Sequence, residues 1–227
     1  MNITIQTADG SKHNAYLALP AAKTGPGILV LHAWWGLTPF FETLCAELAA
    51  AGFVALAPDL YGGPTAETIA EAEALAETLD DDATAELVKA AVDALARHPA
   101  VNGRSLGTIG FSLGAPWSLL AATALRPEAV RAVVLFYGNH PGLDADDYAR
   151  SHAAFLGHFA AADPYEDEAA VERTFEQMRQ AGRTAVHYVY PNTGHWFFES
   201  NQPAAYEPEA ADLAWERTIT FLRAHLA

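Results

Sequence analysis

The chain has 227 residues, 51% of them hydrophobic, with 13 lysines and arginines against 28 aspartates and glutamates and a formal net charge of −15. That is enough apolar material for one buried core and points to a single domain spanning 1–227. The acidic balance argues against nucleic acid and anionic membrane surfaces as partners, and no apolar run reaches the ~18 residues of a membrane span.

The N-terminal stretch "MNITIQTADGSKHNAYLALP" alternates like a strand pair around an Asp9-Gly10 turn, with strands expected over 3–7 and 14–19. It has neither the basic nor the apolar region of a secretory leader. The run "GILVLH" at 27–32 reads as a strand buried on both faces. A helix is expected over 38–51, with Thr38 as N-cap and Pro39 at its first position, and a strand over 53–57. Cys45 is the only cysteine; it has no intrachain disulfide partner, which suits a reducing, cytoplasmic location.

Residues 65–98 read as two helices broken near "DDDAT" at 80–84, with Leu87, Val88, Ala91, Val92 and Leu95 forming the stripe of a helix lying on a sheet. A strand over 105–111 follows, then a helix over 113–125 stopped by Arg126-Pro127. Further strands are expected over 130–137, 153–158 and 184–190, with helices near 166–181 and 205–225. Strands separated by helices imply an α/β fold with a mostly parallel central sheet and helices on both faces. In such sheets chemistry gathers at the carboxyl ends of the strands. The acidic clusters at 67–82, 144–147 and 163–168 read as solvated surface, and no spaced His/Asp/Glu set reads as a metal site.

The segment "GFSLG" at 110–114 sits between a strand and a helix. A G-x-S-x-G pattern arises by chance in roughly 3% of chains of this composition, so the context carries the argument. A tight strand–turn–helix would lift the Ser112 hydroxyl above the sheet, and Gly110 and Gly114 would relieve backbone crowding. A serine hydroxyl needs a base, and His195 in "YPNTGHW" is presented by a loop after a late strand. Asp163 in "GHFAAADPYED" follows a strand and completes the chain order Ser…Asp…His. Asp144, Asp146 and Asp147 are the fallback acids, and Asp59 in "APDLYGG" reads as structural.

These residues, with "LHAWWGL", "LFYG" and "YPNTGH", resemble the dienelactone hydrolase family of the α/β-hydrolase superfamily over nearly the whole chain. The resemblance implies the α/β-hydrolase fold, a monomer, no cofactor, and Ser112, Asp163 and His195 at the catalytic positions. It further implies that the Trp34 and Leu113 amides hold the oxyanion and that Trp35 and Tyr137 line the substrate pocket. Many members carry cysteine as nucleophile and a glutamate where this chain has Ala33; here serine and alanine stand together, consistent with a serine-type variant.

Members acting on dienelactone grip its carboxylate with arginines. One of those positions, four residues after the histidine, is Glu199 here, and residues 60–96 contain no arginine. Glu199 is therefore either a substrate contact or a solvated loop residue, and dienelactone itself is not the expected substrate. The expected activity is that of a serine hydrolase cleaving a small neutral ester or lactone through an acyl-enzyme. The alternatives are acyl transfer by the same residues, or a non-catalytic protein binding a small molecule in the same cleft.

Overall fold

The structure, a computed structural model, describes residues 1–226, the side chain of Arg104 excepted. Eight strands form one sheet in the order β1-β2-β4-β3-β5-β6-β7-β8. The strands are β1 (Asn2–Gln6), β2 (Lys12–Ala18), β3 (Gly25–Leu31), β4 (Val54–Pro58), β5 (Val101–Phe111), β6 (Val130–Phe136), β7 (Ala154–Ala160) and β8 (Ala185–Tyr190). The β1–β2 and β2–β4 pairs are antiparallel; from β4 through β3, β5, β6 and β7 to β8 the strands pair in parallel.

The sheet has a core on each face, and the alternation of side chains along a strand divides them. Leu29, Leu31, Val133 and Leu135 pack on one side, while Ile28, Val30, Val134 and Phe136 pack on the other. The first core is closed by α3 (Asp81–Ala96), α4 (Gly114–Leu120), α5 (Ala145–Arg150) and α6 (Glu168–Gln180). The second is closed by α1 (Pro39–Ala50) and α7 (Pro208–Leu226), with Ala72 of α2 (Ile69–Ala76) joining it. The stripe Leu87, Val88, Ala91, Val92 and Leu95 is buried, as a 3.6-residue period on a sheet requires.

Local departures from the sequence reading have identifiable causes. Thr38 occupies the N-cap position of α1 with Pro39 following it, and the Thr38 carbonyl accepts from the Phe41 amide, but its hydroxyl makes no capping bond. The break between α2 and α3 falls at 77–80, just before the acidic run, since Asp80 caps Ala83 and draws Asp81 and Asp82 into the first turn of α3. The helix after the serine is regular only to Leu120 and widens into a π-turn over Ala121–Leu125. The short helix α5 was not read from the sequence; a capping box between Asp144 and Asp147 nucleates it. Among the described residues, no helix is long and apolar enough to cross a membrane.

Candidate active site

Strand β5 lies in the middle of the sheet and ends at Phe111, so the next residue emerges at the carboxyl edge with parallel strands on both sides. Ser112 turns the chain at φ +48°, a left-handed conformation that a serine adopts only under constraint. The constraint is visible on three sides. The Ser112 amide donates to the Phe136 carbonyl at 2.9 Å. A methyl group on Gly110 would lie 2.5 Å from the Gly114 carbonyl oxygen, and one on Gly114 would lie 2.2 Å from the Leu31 carbonyl oxygen. Both glycines are therefore required by backbone contact rather than by flexibility. Gly138 belongs to the same packing, because a Cβ there would come within 2.5 Å of the Ser112 carbonyl oxygen. Its signal in the sequence was the glycine ending "LFYG".

The Ser112 hydroxyl lies 2.9 Å from His195 Nε2. His195 Nδ1 lies 2.9 and 2.8 Å from the two carboxylate oxygens of Asp163. A carboxylate only accepts, so Nδ1 carries the proton and Nε2 accepts from the serine hydroxyl. Both side chains of the second pair are withdrawn from water, 4% and 2% exposed. Asp163 Oδ1 also accepts from the amides of Tyr165 and Glu166, at 2.9 and 3.2 Å, which fixes the carboxylate plane. The helix cap that Asp163 could have provided is supplied by Asp167. Of the fallback acids, Asp144 and Asp147 cap α5, Asp147 also pairs with Arg150, and Asp146 lies in the first turn of the same helix.

Trp34 and Leu113 face the cavity that holds Ser112 and His195. Neither of their backbone amides donates to a partner among the described residues. The loop bearing Trp34 is held from below by His32, whose Nδ1 donates to the Ala33 carbonyl at 2.7 Å and whose Nε2 accepts from the Leu60 amide at 3.1 Å. Burial lowers the affinity of the His32 ring for a second proton. Asp59 is structural, its Oδ1 accepting from the Tyr61 and Gly62 amides.

The cavity has a volume of about 730 Å³. One wall is apolar, built from Ala76, Leu79, Pro116, Trp117, Leu120 and Leu125, while Asp81, Asp82 and Glu166 supply carboxylates. Among the described residues, no lysine or arginine lines it. Burial, then the charge of Asp163, pushes the Glu166 carboxyl up to about 7, with a backbone amide of Asn139 pulling the other way. Tyr165 and Glu166 were missed in the sequence; the signal was their place two and three residues beyond Asp163, in the turn its carboxylate closes.

Three expected substrate contacts lie elsewhere. Trp35 is 2% exposed and packs into the core beneath the loop, leaving Trp34 and Trp117 as the tryptophans that line the cavity. Tyr137 and Glu199 are both fully buried and absent from the lining. The Tyr137 hydroxyl donates to Glu199 Oε1 at 2.8 Å, and the Tyr137 ring packs 4.9 Å from the His195 ring. The structure thus places these three side chains in the core beside the cavity, the Tyr137 ring packing against Phe197 and Phe111.

Among the described residues, no group of three or more His, Cys, Asp or Glu side chains is arranged to hold a metal ion. The sequence matches the Dienelactone hydrolase family over residues 13–226. It is 35% identical to a probable 2-oxo-3-(5-oxofuran-2-ylidene)propanoate lactonase of Bradyrhizobium sp, covering 96% of this chain and 92% of the relative. It is 28% identical to a putative carboxymethylenebutenolidase of Aquifex aeolicus, over 96% of each chain. The crystal structure of a putative dienelactone hydrolase from Klebsiella pneumoniae superposes with a TM-score of 0.84 at 26% identity, covering 98% of both chains. The chain belongs to the dienelactone hydrolase family, carboxylic ester hydrolases of the α/β-hydrolase fold.

Proposed function

We propose that this chain is a serine hydrolase that opens a small ester or lactone through an acyl-enzyme. The observation that carries the reading is the unbroken relay from the Ser112 hydroxyl through His195 to Asp163, with the serine held at a constrained φ. In the first half-reaction Ser112 Oγ adds to the carbonyl carbon while its proton passes to His195 Nε2. Asp163 keeps the ring in the correct tautomer and stabilises the imidazolium that forms. The Trp34 and Leu113 amides receive the developing oxyanion. Collapse breaks the acyl C–O bond, and the alcohol leaves with the proton from Nε2; in a lactone that alcohol stays tethered to the acyl group. A water molecule then gives its proton to Nε2, attacks the acyl-enzyme, and restores Ser112 with release of the acid.

The cavity wall favours a neutral substrate with an apolar arm. Leu79, Trp117, Leu120 and Leu125 offer it hydrocarbon, whereas a carboxylate would meet Asp81, Asp82 and Glu166 with no cationic partner. The Bradyrhizobium relative is named for a lactone that carries a carboxylate; among the described residues, no lysine or arginine lines this cavity to hold one. The test is hydrolysis of p-nitrophenyl esters from acetate to octanoate by the wild type and Ser112→Ala. Turnover that rises with chain length and vanishes in the variant is the expected result. Turnover that persists in Ser112→Ala, or binding of these esters without turnover by the wild type, would overturn the reading.

A further inference from the structure

Glu199 is the least expected feature of the site. It occupies the fourth position after the proposed base, is 0% exposed, and has one carboxylate oxygen on the Tyr137 hydroxyl while the other, Oε2, has no partner. A lone buried carboxyl is costly, so its retention next to a reactive histidine calls for a role.

The surrounding geometry supplies one. Among the described residues, five other than glycine have positive φ, and three of them, Ser112, Tyr137 and Trp196, belong to this neighbourhood: the nucleophile, the ring behind the base, and the residue after the base. The turn that carries His195 closes on itself through Phe197 N–H to the Gly194 carbonyl at 3.2 Å and Glu199 N–H to the Trp196 carbonyl at 2.9 Å. On the facing strand end, Tyr137 leads directly into Gly138, which abuts the Ser112 backbone. The Tyr137 hydroxyl and Glu199 carboxyl are thus the polar link between the segment packed on the nucleophile and the turn that presents the base.

We propose that Glu199, acting through Tyr137, is a positioning residue that clasps the His195 turn to the strand end beside Ser112. The inference rests on the serine-hydrolase reading above. Neither clasp residue touches substrate; their effect is on alignment, to which a relay of this kind is acutely sensitive. Burial pushes the Glu199 carboxyl up to about 8, so the clasp is an uncharged carboxyl accepting from a tyrosine at neutral pH. The groups facing it are Tyr137 and, across the Tyr137 ring, His195 and Asp163. Tyr137 itself stays protonated, its hydroxyl held well above the usual range by burial and by the Glu199 carboxyl. Above about pH 8 the Glu199 carboxyl ionises out of reach of water, and the cost of that buried charge works against the closed arrangement although the bond from Tyr137 favours the ionised form.

The test compares Glu199→Gln, Glu199→Leu and Tyr137→Phe with the wild type, following p-nitrophenyl butyrate hydrolysis from pH 6 to 10. Glutamine keeps the acceptor and cannot ionise; leucine removes the acceptor; phenylalanine removes the donor. Tyr137→Phe and Glu199→Leu should lower kcat about tenfold with little change in KM, the size of one lost hydrogen bond in an aligned relay. Glu199→Gln should recover most of that loss and should lack the decline in kcat that the wild type shows above about pH 8. A kcat in Tyr137→Phe equal to that of the wild type, or the same alkaline decline in Glu199→Gln, would overturn the proposal. Ser112→Ala in the same assay separates the two claims: residual turnover there defeats the serine mechanism, whereas normal clasp variants in a Ser112-dependent enzyme defeat only the clasp. Circular dichroism of each variant identifies loss of fold, and if Glu199→Leu fails to fold the glutamine and phenylalanine variants still decide.

Discussion

Two histidine–aspartate neighbourhoods lie at the carboxyl edge of the sheet, and they are partnered differently. His32 follows β3 with Asp59 at the end of β4; His195 follows β8 with Asp163 at the end of β7. All four residues are largely withdrawn from water. Yet both nitrogens of His32 are bonded to backbone, and Asp59 spends Oδ1 on two backbone amides. His195 has carboxylate on one nitrogen and a serine hydroxyl on the other. Residue types and burial are shared; what differs is whether the partners are groups that can give up and regain a proton. His32 can only hold the Ala33–Trp34 loop in place, whereas His195 can cycle.

The sharpest way to break the comparison is to make the same change in both pairs. Asp163→Asn should lower kcat by roughly 10³–10⁴-fold, because the amide favours the wrong imidazole tautomer. Asp59→Asn should leave kcat within a factor of a few and lower unfolding stability by about 1–3 kcal/mol, the cost of weakened buried acceptors. Equal kcat losses in the two variants, measured beside their urea midpoints, would erase the distinction.

Buried histidines that do not cycle should announce themselves in acid. His158 is enclosed between Tyr190 and Thr218, and burial lowers its folded-state value to about 3. Above pH 6.5 it is neutral folded and unfolded, and its contribution is fully present. As pH falls from 6.5 toward 3, the unfolded chain takes up a proton that the folded chain refuses, and up to about 5 kcal/mol is lost. His158→Gln should flatten this part of the stability–pH curve, and an unchanged slope between pH 7 and pH 4 would show that another group is responsible.

Glu199 gives the opposite limb. Its folded value of about 8 lies above the ordinary 4.5, so its contribution is intact below pH 4.5 and is lost as pH rises to 8. Glu199→Gln should therefore be more stable than wild type at pH 8, by up to about 5 kcal/mol, and indistinguishable near pH 4. Thermal melts at the two pH values check it. The smallest expected effect is at Gly138, where alanine would press on the Ser112 carbonyl; about 1–3 kcal/mol of overpacking strain is expected, with kcat falling more than stability alone explains.

Much of this was legible from residue patterns because the signals are local. Alternating and continuous apolar runs specify strands buried on one or both faces, and the stripe on α3 fixes the face it turns to the sheet. The glycines around Ser112 mark a turn in which backbone atoms nearly touch, a requirement that appears in the sequence as missing side chains. The order Ser112, Asp163, His195 follows from strand-end loops in a parallel sheet, so their residue types and places in the chain point to these side chains.

Other features depend on contacts that no local pattern encodes. Trp34 and Trp35 are adjacent and chemically identical, and only the packing of the loop beneath β3 decides which faces the cavity and which enters the core. Glu199 reads as a surface glutamate by type, and only the fold buries it, which pushes its carboxyl up, and brings the Tyr137 hydroxyl, 62 positions away in sequence, to donate to it. Residue patterns specify the strands, the longer helices and the chemistry available at the sheet edge, because short-range sterics and periodic burial fix them. The tertiary structure alone decided which polar groups lose their water and which partners they find, because desolvation and hydrogen bonding depend on neighbours brought together from distant parts of the chain.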